Sequence, residues 1–111
     1  VVQREDRLLD LPLPALPGRH QLTNAGVAVT SALALADVLP ELGLTERAIE
    51  TGLRTVSWPA RMQRLSSWPL PEAVGTDNEL WLDGGHNPAA GDMLADTLAA
   101  FDEKSPKPVY L

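Results

Sequence analysis

With 111 residues, 44% hydrophobic and 5% aromatic, the chain has enough apolar matter for one modest domain or parts of two, and too much for intrinsic disorder. Nine basic against fifteen acidic residues give a net charge of -6, and no Lys/Arg cluster stands out, which argues against a nucleic-acid partner. The absence of cysteine excludes disulfides, thiolate catalysis and Cys-ligated zinc, and no apolar run reaches the roughly 18–20 residues that a membrane span requires.

The start, Val1 to Arg7, has neither an initiator Met nor a signal-peptide pattern. Leu8 to Pro17 alternates Leu and Pro, which forbids a helix and limits a strand to an edge, so an extended, half-buried segment is expected, ended by Gly18. A helix follows from Thr23 or Asn24 to Leu39. Its stripe is Leu22, Ala25, Val29, Ala32, Ala36 and Leu39, and Ala28, Leu33 and Leu35 widen it enough to predict burial on more than one side. Pro40 and Gly43 end it. Thr45 is the expected N-cap of a shorter helix, with Glu46 in its first turn and Leu44, Ile49 and Leu53 as its buried edge. Ser57-Trp58-Pro59 breaks the pattern, and a hinge or domain boundary is placed between Arg54 and Pro59.

Arg61 to Ser66 alternates polar and apolar residues, as a strand with one wet face does. Trp68 to Asn78 reads as a loop and Leu80-Trp81-Leu82 as a second strand. Asn87 is a good N-cap and Pro88 suits the first helical position. They open an amphipathic helix to Phe101 whose stripe is Ala90, Leu94, Thr97/Leu98 and Phe101. Val109-Tyr110-Leu111 opens a third strand. The order strand, loop, strand, helix, strand predicts the start of a parallel α/β sheet. Both ends read as cuts through a longer protein.

The stretch Leu82-Asp83-Gly84-Gly85-His86-Asn87-Pro88 concentrates the chemistry. Asp83 stands at the carboxyl end of a strand and His86 at a helix mouth, the place where open α/β sheets bind ligands. The Asp-x-x-His spacing permits a metal, but no third ligand is evident. Asp83 suits a sugar hydroxyl equally well as it suits a Gly-Gly turn in which Asp83 and Asn87 cap backbone amides. Arg61 is either a clamp for phosphate or base, or a solvated strand residue. His20 and Asn24 flank the expected start of the first helix, where amides attract anions; Asn24 or Thr23 serving only as N-cap is the plainer alternative. No nucleophile elbow and no Gly-x-x-x-x-Gly-Lys-[Ser/Thr] phosphate loop is present.

Three segments together resemble the dihydrofolate synthase/folylpolyglutamate synthases of the Mur ligase family: Leu16-Pro17-Gly18-Arg19-His20-Gln21-Leu22-Thr23-Asn24-Ala25, Trp58-Pro59-Ala60-Arg61-Met62-Gln63, and Leu82-Asp83-Gly84-Gly85-His86-Asn87-Pro88-Ala89-Ala90. Gly43-Leu44-Thr45 and Ala48 to Leu53 fit the same pattern. The resemblance implies an α/β chain in which residues 1–55 are the C-terminal part of the central ATP-binding domain. Residues 56–111 would be the N-terminal part of a Rossmann-like C-terminal domain. It also implies an ATP-dependent, cytoplasmic, monomeric ligase that joins L-glutamate to dihydropteroate or to a folate γ-carboxylate through an acyl phosphate, with no nucleic-acid or membrane partner. By position Asn24 matches the family Asn near adenine, Arg61 the Arg reaching toward the nucleotide, Asp83 the Asp at the ribose, and His86 a catalytic His near the incoming glutamate. Magnesium ligands and the phosphate loop would precede Val1, so the isolated chain is expected not to turn over ATP.

This chain departs from the family at two small residues. The usual Pro-Gly-Arg is Pro59-Ala60-Arg61, and Asp-Gly-Ala-His is Asp83-Gly84-Gly85-His86. A muramyl-peptide synthetase, the nearest alternative, tends to carry His-Asn-x-x-Asn where His20-Gln21-Leu22-Thr23-Asn24 stands. A non-catalytic helical module would use the Gly-Gly stretch only as a turn.

Overall fold

A computed structural model of the chain describes residues 1–4, 7–67, 69–75 and 77–111. Trp68 and Thr76, both inside the loop expected over Trp68 to Asn78, lie outside the described residues. The chain gathers into two units, Val1–Ser57 and Trp58–Leu111.

The first unit opens with two short strands, β1 (Val2–Arg4) and β2 (Arg7–Leu9), paired antiparallel with Val2 opposite Leu9. From Asp10 to Arg19 there is neither helix nor strand, as the Leu/Pro alternation demands. The Ala15 amide donates to the Leu53 carbonyl at 2.9 Å and ties this extended run to the end of the second helix. Helix α1 spans His20–Val38, a turn earlier than the capping residues predicted, because Gly18 takes φ 104° and its carbonyl accepts from Gln21 N at 3.0 Å. After Leu39 a 3-10 turn over Pro40–Leu42 and left-handed Gly43 (φ 56°) close the element. Helix α2, Glu46–Thr55, is capped as expected, with the Thr45 hydroxyl accepting from Ala48 N at 3.1 Å. Leu9, Val29 and Ile49 form the buried core of this unit.

Helix α1 buries one stripe rather than two. Val29 is 5% exposed, while Val27 is 63% and Val38 73% exposed. Among the described residues of the first unit no element covers a second apolar side of the helix.

In the second unit β3 (Gln63–Leu65) pairs with β4 (Leu80–Leu82), Gln63 opposite Leu82 and Leu65 opposite Leu80. The pairing is antiparallel, which corrects the parallel sheet expected from element order. A parallel return needs a crossover long enough to recross the sheet. Among its described residues the intervening segment holds only α3, Leu70–Val74, a helix of five residues that the loop reading missed. Val109 to Leu111 forms no strand, so the third strand expected there is also corrected. Helix α4 spans Pro88–Lys104, with the Asn87 side-chain oxygen accepting from Ala90 N at 2.9 Å. Its predicted stripe faces inward: Thr97 is 4% exposed, and Phe101 packs against Trp81 of β4 with ring centroids 5.2 Å apart and planes tilted by 44°.

Glu79 ties the tail to the strand pair. Its carboxylate meets Arg64 Nη2 at 3.2 Å and Lys107 Nζ at 3.3 Å, and accepts from the Trp81 indole N–H at 3.3 Å. The Lys107 bond first, then the Trp81 bond, with smaller help from the charges of Arg64 and Lys107, hold its carboxyl below the ordinary 4.5.

Two separate globular bodies of half this chain's mass would expose about 7,200 Å² together by surface scaling. The chain exposes 8646 Å². Large apolar side chains stand exposed in both units, among them Val27, Val38, Leu70, Leu82 and Val109. No described helix is long and apolar enough to cross a membrane.

Two outcomes follow from these elements. Thr45→Ala and Asn87→Ala should each cost about 1 kcal/mol in chemical denaturation, whereas Arg19→Ala, whose side chain makes no capping bond, should stay within about 0.5 kcal/mol. Equal losses at all three would contradict the capping assignment. A carboxyl whose pKa is lowered on folding stabilises above its ordinary pKa, and that contribution fades as pH falls through the folded value. The melting-temperature gap between wild type and Glu79→Gln should therefore be widest near neutrality and close in acid below the lowered pKa. A gap independent of pH would rule the ion pairs out as its cause.

Candidate functional site

The register of β3 and β4 builds the site. Continued past the strand ends, it sets Met62 beside Asp83, and the two turns are clasped there by side chain and backbone together. Asp83 Oδ2 accepts from Met62 N at 2.9 Å, and Asp83 Oδ1 accepts from Gly85 N at 2.7 Å. Gly84 N donates to the Ala60 carbonyl at 2.8 Å, and Ala60 N donates to Gln63 Oε1 at 3.0 Å. Both residues flanking Arg61 are left-handed, Ala60 at φ 54° and Met62 at φ 43°. That conformation costs a non-glycine residue roughly 1–2 kcal/mol. The clasp and the burial of Met62, 5% exposed, offset it.

Gly85 makes the approach possible. A Cβ there would stand 2.9 Å from both Asp83 Oδ1 and the Ala90 Cβ, so a side chain would push the carboxylate and α4 apart. Arg61 is exposed, with Nη1 3.6 Å from where a Cβ on Gly84 would be. A depression of about 320 Å³ is lined by Asp83, Gly85, His86, Asn87 and Leu94 among others. His86, one of its lining residues, is exposed. A carboxylate, an imidazole and the amino end of a seventeen-residue helix thus border one hollow, with a guanidinium on the adjoining turn. Such a set suits a polar, partly anionic ligand. A carboxylate has roughly four lone-pair sites, so two amide bonds leave Asp83 capacity for a ligand. No three described His, Asp or Glu side chains converge as a metal site.

Arg61, Asp83 and His86 therefore sit on one pair of turns in the second unit. Asn24 belongs to the first unit, on the exposed side of α1. Because α1 begins at His20, neither Asn24 nor Thr23 is its N-cap, which corrects that alternative; His20 is the first helical residue rather than a flank. Asn24 Nδ2 donates to Gln21 Oε1 at 3.0 Å, and Gln21 Nε2 lies 3.0 Å from His20 Nε2. Gln21, only 6% exposed, is the hub of this chain of polar groups. Sequence reading passed over it, although a Gln four residues before Ala25 and eight before Val29 continues their stripe. Gln63 and the left-handed pair Ala60 and Met62 were missed too, and nothing local in Ala-Arg-Met signals positive φ.

No family model and no solved structure matches. The chain is 40% identical over 87 residues to the "Probable bifunctional folylpolyglutamate synthase/dihydropteroate synthase" of Halobacterium salinarum, 78% of this chain and 9% of that protein. To the protein of the same name in Haloferax volcanii it is 37% identical over 101 residues, 91% of this chain and 10% of the relative. To the dihydrofolate synthase/folylpolyglutamate synthase of Mycobacterium tuberculosis it is 34% identical over 90 residues, 81% and 16% respectively. The chain thus spans about a tenth to a sixth of the length of these curated relatives. By its sequence the chain belongs to the folylpolyglutamate synthase/dihydrofolate synthase family.

Proposed function

We propose that the whole protein is an ATP-dependent amide ligase that adds L-glutamate to dihydropteroate, to the γ-carboxylate of a folate, or to both. The chain described here supplies the adenosine side of its nucleotide site. On this reading residues 1–55 close the central ATP-binding domain and residues 56–111 open the C-terminal domain. Asn24 reaches the adenine, Arg61 the nucleotide and Asp83 the ribose, while His86 stands near the incoming glutamate. ATP, as substrate, supplies the phosphoryl group that activates the acceptor carboxylate. The phosphate loop and the magnesium ligands come from residues outside these 111, which contain no Gly-x-x-x-x-Gly-Lys-[Ser/Thr] sequence.

The observation that carries the proposal is the joining of Arg61, Asp83 and His86 on two clasped turns beside a helix N-terminus. A turn needed only to reverse the chain has no use for an exposed guanidinium held on strained backbone. The chemistry asked of such a site is mainly positioning and neutralisation of charge.

In the intact synthase, Arg61→Ala should raise the KM for ATP about ten- to a hundredfold, the range of one lost charge-assisted hydrogen bond, and leave the KM for glutamate nearly unchanged. His86→Ala should act chiefly on kcat. If Arg61→Ala and Asn24→Ala both leave the KM for ATP untouched, the nucleotide assignment is wrong.

A further inference from the structure

We propose that Gln21 is a positioning residue for Asn24 and thereby sets which nucleobase the site accepts. It holds the Asn24 carboxamide with the nitrogen turned to Gln21 and the oxygen left to receive the amino group of adenine. The proposal rests on the reading of Asn24 as the adenine residue.

Two polar side chains among the described residues are buried, Gln21 at 6% and Thr97 at 4% exposed. Thr97 serves its own helix, its hydroxyl donating to the Met93 carbonyl at 2.8 Å. Gln21 instead meets two other side chains. Its Oε1 accepts from Asn24 Nδ2 at 3.0 Å, and its Nε2 lies 3.0 Å from His20 Nε2. Position 21 continues the stripe of Ala25 and Val29, where Leu or Met would bury more apolar surface and leave no polar group to satisfy. A buried Gln also loses rotamer freedom on folding, for hydrogen bonds that add little net stability. Stability alone gives no reason for a Gln at this place.

The bonds have a direction. With His20 Nε2 as acceptor, Gln21 Nε2 donates to it and Oε1 is turned to Asn24. An amide oxygen only accepts, so the Asn24 atom that faces it is the nitrogen. Asn24 is exposed, and without a partner its carboxamide would turn over and show oxygen and nitrogen in either place. Held by Gln21, it offers Oδ1 and its second N–H, the pair that matches the exocyclic amine and the neighbouring ring nitrogen of adenine. A purine with an oxo group in place of that amine sets an acceptor against Oδ1. Released from Gln21, the carboxamide can turn its nitrogen to the oxo group instead.

The test compares ATP with ITP, whose base carries that oxo group, in the intact synthase. Gln21→Met should raise the KM for ATP about three- to tenfold, the range of one neutral hydrogen bond, with kcat nearly unchanged and no rise in the KM for ITP. Met keeps the stripe filled, so the melting temperature should hold, and Gln21→Leu repeats the measurement with a second apolar side chain. In the Asn24→Ala background Gln21→Met should change the KM for ATP by less than about twofold. If Asn24→Ala lowers the preference for ATP over ITP and Gln21→Met does not, or if the two penalties multiply, Gln21 only packs and the proposal falls.

A second readout needs no nucleotide. By NMR of the isotope-labelled synthase, the Asn24 side-chain amide, identified by its loss in Asn24→Ala, should be as rigid as helical backbone. Its order parameter should stand at about 0.85 in the wild type and drop below about 0.6 in Gln21→Met. A freely moving Asn24 amide in the wild type would overturn the proposal. If Asn24→Ala leaves the preference for ATP over ITP unchanged while that amide is rigid only with Gln21 present, the positioning role stands and the adenine reading alone fails.

Discussion

One carboxylate joins the two halves of the candidate site. Asp83 accepts from the amide of its own turn and from the amide of a turn on the neighbouring strand. Without it, Met62 would have to hold a left-handed backbone by packing alone. Both bonds are charge-assisted, the stronger kind of hydrogen bond, and both lie at a strand end where the ladder no longer restrains the chain. What surrounds the carboxylate is arranged to let it close: Gly85 leaves room for it, Ala60 lends its carbonyl to Gly84, and Asn87 starts α4 immediately afterward.

Ala60 shows how the family pattern and the backbone meet. The resemblance places a glycine in the Pro-Gly-Arg segment, and here the same position is an alanine at φ 54°. A glycine would take that conformation freely. An alanine takes it only under restraint, so in this chain the clasp carries more of the task of holding Arg61. Thermodynamically the site is held by few contacts in a unit whose other apolar faces are largely open. Leu70, Leu82 and Val109 are all exposed there, as Val27 and Val38 are on α1. Those faces, and the small share of each relative that the chain spans, agree with a segment that works within a larger protein.

Capping chemistry and stripes were legible in the sequence because they are local. Thr45 and Asn87 cap as their residue types require, and Ala90, Leu94, Thr97 and Phe101 face inward at helical spacing. The direction of the sheet was not legible, since strand order and loop length do not tell a hairpin-like return from a crossover until the connecting helix is known to be only five residues long. The start of α1 was misread because Thr and Asn are good caps anywhere, whereas Gly18 sets the true start through its own φ. In the site, Arg61, Asp83 and His86 were singled out by residue type and position. Their link through Met62 and Ala60 depends on backbone angles and on a contact across twenty-one residues, which no local pattern encodes.

The most direct measurement is amide hydrogen exchange at Met62 in the folded chain, read by NMR against the amides of β3 and β4. The expected result is that Met62 N–H and Gly85 N–H are protected to the same degree as the strand amides, and that both lose protection in Asp83→Ala while the strands keep theirs. A Met62 amide that exchanges at the rate of a free peptide in the wild-type chain, with β3 and β4 intact, would mean that the carboxylate does not hold the Arg61 turn.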